Sequence, residues 1–172
     1  SGIITETEAY YGQDDPASHA YRGKTSRAKI MFGKAGIAYV YFCYGMYYLL
    51  NAVTEEEDVP GAVLLRGVIP LEGIQIMQER RKKNKKNHSS NSFNDKNCMD
   101  SVGKFYKLTG GPGKITVAFG INNLDNGKNL TDIKSDLAIY NYFVDIKNFE
   151  IICTQRVGIS KGKDKYLRFL LK

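Results

Sequence analysis

The sequence predicts one α+β domain, a curved mixed or antiparallel β-sheet of barrel-like form flanked by helices. Three observations lead there. Short runs rich in β-branched and aromatic residues recur along the chain, helix-period segments are few, and neither an internal repeat nor a linker divides residues 1–172. That length supports one core, since chains of ~150 residues bury roughly 70% of their unfolded-state surface.

The opening SGIITETEAYYG reads as a strand from about Ile3 to Ala9, its Ile, Thr and Tyr supplying β propensity. A lone opening strand needs a partner, so residues upstream of this span are expected. Residues 12–29, dense in Gly, Pro, Asp and Ser, form a polar loop. AYVYFCYGMYYLLNAVT gives two strands, roughly 38–43 and 47–54, with Gly45 near the bend. After the charged turn EEEDVPG, AVLLRGVIP is a buried strand, and the three together form an antiparallel meander.

At PLEGIQIMQERRKKNKK the period changes. Pro70 suits a first helical turn, and Leu71, Ile74, Met77 and Gln78 fall on one face. The basic run Arg80–Lys86 closes that helix, where cations complement the dipole. It reads equally as a solvated helix end or as a phosphate-binding or localisation signal. Residues 84–103 form an Asn/Ser-rich, low-complexity insertion. A short helix at about 100–108 follows, then one begun by Pro112 and ended by Gly120. NNLDNGKN is a turn, and strands return at about 136–142, 149–156 and 166–171.

Lys and Arg number 25 against 18 Asp and Glu, a net charge of +7 that favours a polyanionic partner. That charge does not choose between nucleic acid and an anionic membrane surface, and no apolar run approaches the ~20 residues of a membrane helix. Three dispersed cysteines, Cys43, Cys98 and Cys153, offer neither a disulfide framework nor a zinc knuckle. A reduced, intracellular protein is the default. With only His19 and His88, and no HExxH or DxDxDG pattern, the chemistry is expected to need no metal and no cofactor. There is no Trp, so stacking on a ligand falls to the 12 Tyr, 8 Phe and two His.

The polar residues of the first third carry the chemistry. Glu6 and Glu8 share one face of the opening strand; from position alone, exposed strand glutamates are the plainer reading. Tyr10, Tyr39, Tyr41, Tyr44, Tyr47 and Tyr48 crowd two short segments, as core lining or as a flat slot for a nucleobase. Asn51 and Arg66 lie within apolar strands and need partners or a cavity. Arg66 should seek a carboxylate, for which Glu8 is the natural candidate, as a functional pair or as a structural salt bridge.

The combination ETEAY, SHAYRG, YVYFCYGMYYLLN and AVLLRGVIPLEG, followed by GGPGKITVAFGI and RVGISKGKDKYLRF, resembles the 3-methyladenine (alkyladenine) DNA glycosylase family. The similarity covers nearly the whole chain outside 84–103 and the ends. It implies a single glycosylase domain that lacks the family's N-terminal segment and a short strand after LRF. It further implies a monofunctional enzyme of base excision repair, which flips alkylated or deaminated purines such as 3-methyladenine, 7-methylguanine, ethenoadenine and hypoxanthine out of double-stranded DNA. By that resemblance Glu8 is the general base for water attacking C1′. Arg66 and the main-chain carbonyl of Val157 hold the water. Tyr10, His19 and Tyr41 line the base pocket, Asn51 crowds the amino group of guanine, and Leu64 is at a pocket wall. Tyr44 wedges into the duplex, while Thr25, Arg27, Met46 and Tyr47 touch the DNA. A monomer with no membrane partner is expected, nuclear in a eukaryote and cytoplasmic otherwise. The alternative is a noncatalytic module that binds damaged DNA.

Overall fold

The computed structural model describes residues 1–87, 107–141 and 149–172. Six strands build one sheet: β1 (Gly2–Tyr11), β2 (Ala38–Cys43), β3 (Tyr47–Val53), β4 (Gly61–Pro70), β5 (Ile151–Thr154) and β6 (Arg168–Leu171). Their order is β2-β3-β4-β1-β6-β5, antiparallel at every pairing. The expected meander is β2–β3–β4, and β1 docks on its free side. The C-terminal hairpin β5–β6 then extends the sheet from β1. A barrel needs its first and last strands to meet; among the described residues β2 and β5 lie at opposite edges and do not pair, so the sheet is not closed into a barrel.

Both faces of the sheet are covered. On one, Val40, Leu50, Leu65 and Val68 pack with Ile115, Ile121 and Leu130. Ile115 belongs to α2 (Pro112–Phe119), which opens on Pro112 and ends at Gly120 in the left-handed conformation, φ 78°. On the other face, Tyr39, Val53 and Ala62 meet Ala20, Ala28 and Met31. Ala20 and Ala28 come from the polar loop and Met31 from just beyond it, where the chain folds back over the sheet through 3₁₀ turns at His19–Arg22 and Lys29–Phe32. Two alanines within the polar run and the fully buried Met31 that follows it form this second layer.

Pro70 ends β4, paired with Gly2, instead of starting a helix; α1 runs Ile74–Asn87. Met77 is buried against Leu108 and Ala118, whereas Leu71 is exposed. The Arg80 guanidinium donates to the Ala118 carbonyl at 3.2 Å, a structural use of the first cation of the basic run at the C-terminal end of α2. Residues 136–141 form no strand. Their alternation reflects packing, because Leu137 and Ile139 lie on the core, and the segment is tied by Ile139 N donating to Leu130 O at 2.7 Å and by Lys128 Nζ donating to Asp136 at 2.7 Å, not by a strand ladder. The expected helix at 100–108 and the insertion at 84–103 lie largely outside the described residues, although α1 continues through residue 87.

Two irregularities in the β1–β4 ladder shape the site. Thr7 pairs with Leu65, Glu6 with Gly67 and Ile4 with Val68, so Thr5 on β1 and Arg66 on β4 are each left over as bulge residues. Strict alternation would put Ile4 on the face of Glu6 and Glu8. The extra Thr5 turns Ile4 to the apolar side, where it packs beside Val68.

Candidate active site

Successive pairings lay one row of residues across all six strands: Tyr39, Asn51, Leu64, Glu8, Arg168 and Thr154. Directly paired residues project from the same face, so residues remote in sequence are collected on one side of the sheet. Glu8 lies mid-row and is 0% exposed, and Glu6 is 6% exposed. Burial rules out the exposed-glutamate reading, because a buried carboxylate must be paired and hydrogen-bonded.

The partners are present. Val157 N–H donates to Glu8 Oε1 at 2.7 Å and the Tyr10 hydroxyl donates to Oε2 at 2.8 Å. Arg66 reaches Glu8 at 3.3 Å from Nε and 3.4 Å from Nη1, but its shortest bond goes from Nε to Glu6 Oε1 at 2.9 Å. The carboxylate that best satisfies Arg66 is therefore Glu6, with Glu8 second. Arg168 also donates to Glu6 Oε1, at 2.7 Å. Two carboxylates and two guanidiniums thus form a neutral cluster. Gly67 makes room for it: a Cβ there would stand 2.8 Å from that of Glu6. Burial, then the charge and hydrogen bond of Glu8, push the Tyr10 phenol far above its ordinary range, so it remains a donor.

Beside this cluster opens a cavity of about 180 Å³, lined by Tyr10, Ala17, His19, Arg27, Met31, Tyr39, Tyr41, Cys43, Tyr44, Asn51, Ala62, Gly158 and Ile159. His19 Nδ1 lies 2.7 Å from the Tyr39 hydroxyl, and its ring stands edge-on to Tyr41 with centroids 4.7 Å apart. Burial, then the charge of Arg27, lower the His19 pKa to about 4, so the ring is neutral at pH 7. Arg27 Cζ lies 4.8 Å from the centroid of Tyr41. Asn51 is buried and donates Nδ2 to the Tyr39 carbonyl at 3.1 Å, which fixes its amide.

The β2–β3 hairpin carries Tyr44 to the rim. Tyr44 and Gly45 both have positive φ, 53° and 67°, the pattern of a type I′ turn. Tyr44 is 81% exposed. A large aromatic held outward in the left-handed region costs about 1 kcal/mol in conformation without gaining burial.

Of the residues singled out from the sequence, the fold brings Glu8, Arg66 and Val157 together, Val157 through its N–H whereas the resemblance pointed to its carbonyl, and places Tyr10, His19, Tyr41, Asn51, Arg27 and Tyr44 on one cavity. Leu64 is buried between Asn51 and Glu8 in the row and is not among the lining residues. Thr25 is exposed and accepts the Ala28 N–H; Met46 is exposed on the hairpin loop, and Tyr47 is partly buried beside Gly113. The sequence reading assigned no role to Asp15, Arg156 and Arg168. The first two form a buried pair across 141 positions, which no local pattern reveals. Among the described residues no group of three or more His, Cys, Asp or Glu could hold a metal ion.

The sequence profile described as "Methylpurine-DNA glycosylase (MPG)" matches residues 1–172. The chain belongs to the methylpurine-DNA glycosylase family. Proteins named "Putative 3-methyladenine DNA glycosylase" are similar to it throughout. The one from Ehrlichia chaffeensis is 44% identical over 170 residues, covering 99% of this chain and 77% of its own. Those from Wolbachia pipientis and Francisella tularensis are each 41% identical, covering 98% and 99% of this chain and 73% and 78% of their own. Membership of the methylpurine-DNA glycosylase family makes the chain a DNA glycosylase, a hydrolase of DNA repair. Among the described residues, no helix is long and apolar enough to cross a membrane.

Proposed function

We propose that the protein is a monofunctional glycosylase of base excision repair, which binds double-stranded DNA as a monomer in the bacterial cytoplasm. It rotates an alkylated or deaminated purine into the tyrosine-lined cavity and hydrolyses its N-glycosidic bond. The observation that carries this reading is the fully buried, fully partnered Glu8 beside an aromatic cavity with an exposed tyrosine at its rim.

Glu8 takes a proton from water as the water oxygen bonds to C1′ of the sugar, and the purine leaves with the electron pair of the broken C–N bond. The same carboxylate stabilises positive charge developing on the sugar. Arg66 and the main-chain carbonyl of Val157 hold the attacking water. For 3-methyladenine or 7-methylguanine the base is already cationic and departs neutral, so a single carboxylate suffices where O-glycosidases use two. Cationic purines also stack well on tyrosine faces. Ethenoadenine and hypoxanthine start neutral and need a proton as well. His19, uncharged at pH 7, serves such substrates as a wall of the pocket, not as an acid. Tyr10, His19 and Tyr41 enclose the base, the fixed amide of Asn51 crowds the amino group of guanine, and Leu64 supports the pocket from below. Tyr44 fills the gap left in the stack, which offsets part of the few kcal/mol that flipping costs. Thr25, Arg27, Met46 and Tyr47 contact the surrounding DNA.

The test is single-turnover base release from duplexes carrying one ethenoadenine, hypoxanthine or 3-methyladenine, read as alkali-induced strand breaks. Release from these and not from undamaged adenine is expected. Tight, salt-sensitive binding without base release would refute the proposal in favour of a noncatalytic damage-binding module.

A further inference from the structure

We propose that Arg156, paired with Asp15, is a positioning residue that sets Glu8 and Tyr10 for catalysis, an inference that rests on the glycosylase reading above. Both side chains are 0% exposed and form a two-pronged pair, Nη1 to Oδ2 at 2.5 Å and Nη2 to Oδ1 at 2.7 Å. Arg156 also donates to the carbonyls of Ala9 at 3.0 Å and Gly162 at 3.3 Å. Asp15 accepts the N–H groups of Tyr11 and Ala17. Burial works against the Asp15 charge, but Arg156 and those amides outweigh it and hold the carboxyl below its ordinary range.

Three chain segments meet at this pair, and each delivers part of the site. The end of β1 supplies Glu8 and Tyr10, the loop after it leads into His19, and residues 156–162 supply the Val157 amide and the Gly158 and Ile159 wall. The Arg156 Cζ lies 4.7 Å from the centroid of the Tyr10 ring, so the guanidinium braces the ring whose hydroxyl holds Glu8. The very next residue, Val157, donates the shortest hydrogen bond that Glu8 receives. One side chain thus governs both of the neutral donors on the Glu8 carboxylate.

Stability alone does not account for the arrangement. Arg156 Nε is buried with no hydrogen-bond partner among the described residues, which is unfavourable. Buried ion pairs are often matched or bettered by apolar side chains of similar volume. What the pair secures is geometry: a rigid, planar fork ties three strands of chain at fixed angles.

Two variants of the full chain test this. Asp15→Asn/Arg156→Met removes both charges without orphaning either, and Arg156→Lys keeps the charge but loses the fork. Each is measured by thermal melting, by the enzyme concentration giving half-maximal single-turnover release of ethenoadenine, and by the saturated rate. The expected result is a saturated rate lowered about 100-fold, as for a misplacement near 1 Å, with half-saturation within about threefold of wild type and cooperative melting retained. A saturated rate within about threefold of wild type in Arg156→Lys overturns the proposal, even if the double variant fails to fold. So does a loss confined to half-saturation. Wild-type protein that releases no base overturns the glycosylase reading itself, a separate outcome.

Discussion

Replacing Glu8 by Gln tests the chemistry with little disturbance of the fold. The two side chains are isosteric, and the amide oxygen can still accept the Val157 N–H now 2.7 Å from Oε1. The Tyr10 hydroxyl loses its acceptor if the amide nitrogen takes the Oε2 position, and can rotate to accept instead. Arg66 is not orphaned, because Glu6 Oε1 lies 2.9 Å from its Nε. The stability cost is therefore about 1–3 kcal/mol, that of disturbed buried hydrogen bonds, rather than the larger penalty of an unpaired buried charge. The catalytic cost is far greater: losing a general base removes about 10²–10⁴-fold in rate, about 3–5 kcal/mol of barrier. Single-turnover release from an ethenoadenine duplex, with melting and duplex affinity measured on the same preparation, separates the two. A folded variant that binds lesion DNA and releases base at a rate within about threefold of wild type would remove Glu8 from the mechanism.

Tyr44→Gly should relieve left-handed strain of about 1 kcal/mol, partly offset by glycine's unfolded-state entropy. Melting should hold or rise slightly, while lesion-duplex binding weakens about tenfold, equivalent to one base–aromatic contact; unchanged affinity would exclude the wedge. For His19 the folded pKa of about 4 lies below the ordinary 6.5. The unfolded chain therefore binds the proton first, and stability falls as pH drops from about 6.5 towards 4. Urea midpoints across that window should flatten in His19→Gln; an unchanged slope would show that the ring is not held neutral. Gly67→Ala puts a methyl group 2.8 Å from the Glu6 Cβ and should cost about 1–3 kcal/mol as overpacking, seen as a lower melting temperature. Wild-type melting would mean that the bulge relaxes freely.

Local rules made much of this protein legible in its sequence. Alternation located β1 to β4, and Pro112 with Gly120 bounded α2, because period and caps depend on neighbours a few residues away. Combined motifs gathered the candidate pocket residues, since Tyr10, His19, Tyr41 and Asn51 lie within recognisable blocks. What misled was equally local. The alternation at 136–142 arises from packing on the core without a partner strand over the described part, and Pro70 closes a ladder although its φ also suits a helix start.

The tertiary structure alone decided the charges. The choice of Glu6 over Glu8 as the shortest partner of Arg66 depends on two bulges, and those depend on how β1 and β4 register across 60 positions. The Asp15–Arg156 clamp joins residues 141 apart. A buried ion pair is a property of the cavity that many segments jointly exclude from water, so its members look like ordinary surface residues until the chain is folded around them.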